Sequence, residues 1–247
     1  MPRTGWQGST PRSACSIPRA IRKRWRFPPW RRLSGPIRRP ISRPCLAEPR
    51  LAVAVLAAGQ SRRFGPQDKL AAPFGEALLG EQAARTLGGL AFAHRWVIAA
   101  RGDHPCAPGW AAAGFDIAVN DRAASGMGSS LALAAQLAQA AGADALLVAL
   151  ADMPLVPAGH FAALLARAVA LGPGAIVASE ADGQRSPPAV FGSSHLPALA
   201  KAAGDQGARA LLGRAEPLVC AADWLADVDD PAALARVRAL VTRGESC

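Results

Sequence analysis

The amino-acid sequence predicts an α/β fold, a Rossmann-like doubly wound and mostly parallel sheet with helices on both faces. Three observations carry that expectation. From residue 51 onward, short β-type apolar runs alternate with alanine-rich stretches of helical length. Runs such as "ALLVALA" (145–151) lack the polar alternation of a half-exposed strand, as strands covered on both faces do. With 247 residues, 51% of them hydrophobic, the chain is long enough to bury such a core.

The elements follow in order. Strands are expected at 51–57 ("LAVAVLA"), 95–100 ("RWVIAA"), 115–119 ("FDIAV"), 144–150 ("DALLVAL"), 174–179 ("GAIVAS") and 188–192 ("PAVFG"). Each is a short run dominated by apolar residues, several of them β-branched. Helices are expected near 77–92, 128–141, 158–171, 195–203, 206–213 and 231–242, where alanine and leucine recur at helical spacing. In such a sheet ligands bind beyond the carboxyl ends of the strands, so the loops that follow strands are where chemistry is expected.

The formal charge of +10 divides unevenly. Residues 1–50 hold 13 of the 28 bases and one of the 18 acids, Glu48, which leaves 15 bases and 17 acids in residues 51–247, a net of −2. Nucleic-acid binding is therefore not expected of the globular part, domain 51–247. The extension 1–50 is rich in arginine and proline without helical or strand periodicity, a composition that predicts disorder. An RNA- or membrane-touching tail, an organelle transit peptide and an over-long gene model all fit it. We favour the last, although no Met lies between Met1 and Met127. No apolar run approaches the ~18–20 residues that span a bilayer. The five cysteines are odd in number, widely spaced and without metal-ligand spacing, which reads as reduced thiols and a cytoplasmic location. The four histidines show no spacing suited to zinc and read as surface or satisfied polar residues.

"LAAGQSRRFGPQDKL" (56–70) closes the first strand and sets Gly59 beside Arg62, Arg63 and Lys69. Gly59 lets backbone amides approach a ligand, and the amides with three cations make a concave site for polyphosphate. The loop is neither a Walker loop nor GxGxxG. Asp152 follows the strand 144–150, and a carboxylate facing a triphosphate from a strand end is a natural Mg²⁺ ligand. "DVDDP" adds Asp227, Asp229 and Asp230, the last suited to cap a helix that has Pro231 at its first position. "GMGSSL" opens a helix, where Ser129 and Ser130 can cap it or read a polar ligand edge.

The quoted loop resembles the signature loop of the MobA/MocA-like nucleotidyltransferases, and its LAAG and RRFG forms resemble molybdenum cofactor cytidylyltransferases in particular. "GMGSSL" (126–131), "ALADMPLV" (149–156), "GDQGARALL" (204–212) and "DVDDPAAL" (227–234) match in the same order, so the resemblance spans residues 51 to about 242. It implies that Leu56, Ala57, Ala58 and Gly59 wrap the triphosphate. Arg63 and Lys69 would stabilise charge on the phosphorus under attack, with Arg62 in support. It further implies Mg²⁺ held by Asp152 and Asp229, cytosine contacts from Gly126, Ser129 and Ser130, and acceptor-phosphate contacts from Asp205 and Arg209, which could equally bridge two helices.

The implied reaction joins CMP from CTP to a molybdopterin-type acceptor, with a molybdoenzyme or its chaperone as a further partner. One departure stands out: relatives often read GHP where this chain has Ser186-Pro187-Pro188. That leaves open a related transferase with another phosphorylated acceptor, or one using GTP. A non-enzymatic nucleic-acid binder would rest on the basic extension alone.

Overall fold

The structure, a computed structural model, describes residues 48–59, 64–65, 67–201 and 211–244. The first strand, β1 (Leu51–Ala57), explains the architecture in miniature. Val53, Val55 and Ala57 join one hydrophobic cluster while Ala52, Ala54 and Leu56 join another on the opposite face. With a side-chain period of two and both faces covered, every position must be apolar.

A two-residue hairpin follows, β2 (Pro73–Phe74) and β3 (Ala77–Leu78), turning at Gly75 with φ +60°. Then come α1 (Gln82–Gly88), β4 (His94–Ala99), α2 (Ala107–Ala112) and β5 (Asp116–Val119). The middle of the chain gives α3 (Met127–Ala140), β6 (Ala145–Leu150), α4 (Ala158–Leu171) and β7 (Ile176–Ala181). The last elements are β8 (Gln184–Gly192), α5 (Leu196–Ala200), β9 (Glu216–Val219) and α6 (Pro231–Gly244).

Seven strands form one sheet in the order β5-β4-β1-β6-β8-β7-β9, in which only β8 runs against its neighbours. The expected mostly parallel sheet is what forms. Helices α1, α2 and α4 cover one face through Leu87, Trp110, Phe161 and Leu164; α3 and α5 cover the other through Leu131, Ala135, Leu196 and Leu199. Among the described residues no helix is long and apolar enough to cross a membrane.

Several elements differ from expectation for local reasons. Strand β8 runs four residues further upstream than its apolar core, through Pro187 and Pro188. Its pairing with β7 jumps from Ala178↔Ala189 to Ser179↔Ser186, so a bulge absorbs two residues that have no N–H to give. The expected helix 77–92 shortens to α1 because Ala77 and Leu78 close the hairpin. The short β9 carries Pro217 at the sheet edge, where a missing donor is tolerated. The expected helix 206–213 lies mostly outside the described residues, as do residues 202 and 203 of the helix expected at 195–203.

The C-terminal helix α6 starts as its sequence suggests: Asp230 Oδ1 accepts the N–H of Ala233 at 2.7 Å, and Pro231 opens the first turn. Its Leu234 and Val237 pack with Val228, Phe74 and Leu79 in a third cluster. This packing brings residues 226–229 beside the carboxyl end of β6, where the N–H of Val228 donates to Asp152 O at 3.0 Å.

Candidate nucleotidyl-transfer site

The site is assembled beyond the carboxyl ends of β1 and β6. Leu56 O accepts the N–H of Ala151 at 3.1 Å, which holds the start of the loop bearing Asp152 against the end of β1. At Gly59 no described atom lies within 4 Å of where a Cβ would stand. Leu56 lines a cleft, Ala58 is buried at 8% exposure, and the methyl of Ala57 belongs to the core cluster on the opposite face. Ala57 can therefore meet a ligand only through its backbone.

Lys69 begins a 3-10 turn (Lys69–Ala71) whose first N–H groups are capped by Asp68. The lysine is 7% exposed, and its ammonium stands between two carboxylates, 2.6 Å from Asp152 Oδ2 and 3.0 Å from Asp229 Oδ1. Burial would lower the lysine's pKa. The charges and hydrogen bonds of Asp152 and Asp229 more than offset this, so the net direction is upward and the group is a fixed cation. Partial desolvation, then the charges of Asp229 and Asp152, raise the pKa of Asp227 above that of an ordinary aspartate, although the residue keeps an exposed surface.

The side chains of Asp152 and Asp229 remain 22% and 32% exposed. Among the described residues no group of three or more His, Cys, Asp or Glu converges as a metal cage. Two carboxylate oxygens from different loops suit a hard divalent cation that takes one or two carboxylates and fills its remaining positions with phosphate oxygens and water. The donor set therefore fits a divalent cation such as Mg²⁺, which Asp152 and Asp229 would hold.

The start of α3 is organised by a glycine turn and a buried amide. Gly126 precedes it with φ +103°, a conformation that favours glycine. Ser129 Oγ has the carbonyls of Gly126 and Arg122 at 2.8 and 2.9 Å as acceptors, and accepts from Asn120 Nδ2 at 2.8 Å. The same Asn120 nitrogen donates to Ser130 Oγ at 2.9 Å. Both serines are buried. Their hydroxyls thus hold the turn and Asn120, which is the capping role expected of this helix start. Asn120 itself went unnoticed in the sequence, although a polar residue directly after the strand "FDIAV" is the signal that marks it.

Arg62, Arg63, Asp205 and Arg209 lie outside the described residues. The other expected positions gather around two features. Lys69, Asp152 and Asp229 meet at one point. Leu56 and the first turn of α3 border an apolar cleft of about 250 Å³, completed by Val148, Pro187, Phe191 and Leu212. A cation between carboxylates can hold a polyphosphate, and an apolar cleft suits a flat ring.

Residues 53–220 match the model of the MobA-like NTP transferase domain. The chain belongs to this family. A second finding agrees: over 176 residues it is 32% identical to the purine catabolism protein PucB of Bacillus subtilis, covering 68% of this chain and 82% of that protein. Among solved structures, the homologue of Mycobacterium tuberculosis Rv0371c from Mycobacterium sp. strain JC1 superposes with a TM-score of 0.62 at 25% identity, covering 78% of this chain and 98% of that one. Molybdopterin-guanine dinucleotide biosynthesis protein A from Archaeoglobus fulgidus has the same fold, with a TM-score of 0.57 at 17% identity over 78% and 99% of the two chains. As a MobA-like NTP transferase, the protein is a nucleotidyltransferase, and the Lys69–Asp152–Asp229 cluster lies where its sheet topology puts ligands.

Proposed function

We propose that the protein transfers CMP from CTP to the terminal phosphate of molybdenum-bound molybdopterin, in the cytoplasm and with Mg²⁺. The observation that carries the reading is the convergence of Lys69, Asp152 and Asp229 beyond the ends of β1 and β6. An acceptor phosphate oxygen attacks the α-phosphorus, the bond to the β-phosphate oxygen breaks, and pyrophosphate leaves. Lys69 and Arg63 stabilise charge that grows on the phosphorus centre, with Arg62 in support. Asp152 and Asp229 would hold Mg²⁺, which when bound neutralises triphosphate charge. The backbone of 56–59 and the turn at Gly126 border the nucleotide, and Asp205 and Arg209 hold the acceptor phosphate.

Preference for CTP over GTP rests on Ala58. Its methyl group stands in the LAAG turn where the guanylyl-transferring relatives resembled by this sequence have LAGG, and it narrows the space beside the base. Shape alone is worth roughly 10- to 200-fold, and Ser129 and Ser130 with the amides at the start of α3 can add pairing to the cytosine edge. The test is pyrophosphate release from each nucleoside triphosphate with purified molybdopterin cofactor, comparing kcat/KM for CTP and GTP in the parent and in Ala58→Gly. Equal use of both by the parent would sink the cytidylyl assignment.

A second reading keeps the nucleotide chemistry and changes the acceptor to another small phosphorylated metabolite. It is favoured by Ser186-Pro187-Pro188, where the cleft is walled by Pro187 and Ser186 in place of the histidine expected from the resemblance. Turnover with such an acceptor and none with molybdopterin would select it.

A further inference from the structure

The turn that carries Lys69 is braced from outside the cluster. His104 sits between β4 and α2, 5% exposed, with its ring stacked on Trp110 at a centroid distance of 4.8 Å. Its Nδ1 accepts the N–H of Cys106 at 3.1 Å. A backbone amide can only donate, so Nδ1 carries no proton and the neutral ring holds its hydrogen on Nε2. That nitrogen lies 2.7 Å from Asp68 Oδ2, and Asp68 Oδ1 accepts the N–H of Leu70 at 3.0 Å.

The carbonyl of Leu70 is held as well, accepting from Cys106 Sγ at 3.2 Å. Both polar groups of the residue next to Lys69 are thus fixed by the segment 104–106, one through Asp68 and one directly. Trp110, under the imidazole, donates from Nε1 to Gly80 O at 2.8 Å, and a Cβ built on Gly80 would come within 2.8 Å of Leu70 Cβ. The base of the lysine has little freedom to shift.

We infer that His104 is a positioning residue for Lys69: its hydrogen bond to Asp68 sets the turn from which the ammonium reaches Asp152 and Asp229. The physical need is plain. A lysine side chain has four flexible bonds, so where its head sits depends on how firmly its backbone is held. A shift of about 1 Å at a catalytic group can cost on the order of 100-fold in rate. His104 touches neither carboxylate of the cluster and acts through Asp68 and the turn.

The catalytic half of this inference rests on the proposed function; the structural half does not, and the experiment separates them. His104→Phe keeps an aromatic ring on Trp110 and removes the hydrogen offered to Asp68, while His104→Gln can offer an amide hydrogen in its place. Two quantities are read in full-length protein: the rate at which an amine-directed acylating reagent modifies Lys69, followed by peptide mass spectrometry without nucleotide, and steady-state kcat and KM with CTP.

In His104→Phe, Lys69 should be modified several-fold faster and kcat should fall roughly 10-fold, with KM for nucleotide moving less. His104→Gln should recover most of both. A folded His104→Phe variant with parental Lys69 protection and parental kcat would overturn the inference. If that variant does not fold, ¹⁵N shifts of the parent's imidazoles decide: a proton on Nδ1 of His104 overturns the bracing and a proton on Nε2 supports it. A parent that transfers no nucleotide sinks the proposed function, whereas Lys69 labelling still judges His104.

Discussion

Lys69 and Asp152, 83 residues apart in the chain, meet in an ion pair of 2.6 Å at the carboxyl ends of two adjacent parallel strands. Asp229, a further stretch along the chain, holds the same ammonium at 3.0 Å. One cation between two carboxylates leaves a net negative point that attracts a divalent ion, and such an ion offsets part of a triphosphate's charge. Lys69 then has phosphate oxygens as an alternative partner.

Replacing Asp152 with alanine should abolish turnover, by at least about 100-fold, because a carboxylate that fixes the metal contributes several kcal/mol of transition-state stabilisation. The fold should survive, since the side chain is partly exposed. Near-parental kcat/KM at ordinary Mg²⁺ would remove Asp152 from the mechanism.

For Lys69→Met the expected signature has two parts. On the proposed action of its charge in the transition state, kcat should drop about 100-fold while KM for CTP changes far less, and Arg63→Ala should follow the same pattern. Removing the ammonium also leaves Asp152 and Asp229 without their common counter-charge. Mn²⁺ should therefore bind the nucleotide-free variant more tightly than the parent in calorimetric titration. Weaker Mn²⁺ binding in the variant would show that the lysine organises the carboxylates rather than competing for them.

The pH dependence of stability follows from two groups with opposite chemistry. Lys69 has a raised pKa, so its stabilising contribution is complete at neutral pH and is lost as pH rises past the ordinary lysine range. Asp227 is also raised, and for an acid this means the folded state holds its proton more tightly than the unfolded one. Stability should fall as pH rises through the window just above the ordinary aspartate range, and Asp227→Asn should flatten that fall. Urea midpoints measured across pH for both proteins check the sign; a parallel pair of curves would rule the carboxyl out as the cause.

Asn120→Ala should destabilise by about 1–3 kcal/mol, since it strips two buried hydroxyls of their shared donor. The ratio of CTP to GTP use should stay within about threefold of the parent, well short of the discrimination a base contact supplies. Denaturant unfolding gives the first quantity and paired kcat/KM values the second. A large change in nucleotide preference with unaltered stability would show that Asn120 acts on the base through Ser129 and Ser130.

The fold class could be read from the chain because its signals are local. "LAVAVLA" and "ALLVALA" are apolar at every position only because both faces of their strands are covered, and α4 keeps its whole expected span because its apolar stripe repeats within a few turns. The glycine turn after β1 and the acid after β6 are local in the same sense, which is why Gly59 and Asp152 could be singled out with no structure in hand.

What the tertiary structure decided is how distant charges and hydroxyls are spent. That Lys69 bridges both acids, 83 and 160 residues away, depends on β1 and β6 being neighbours and on α6 docking residues 226–229 against them. That the Ser129 and Ser130 hydroxyls turn inward depends on Asn120, which arrives from another strand end. Periodicity is set by neighbours a few residues apart, but a buried polar group takes whichever partner the packing delivers, and no spacing along the chain specifies that partner.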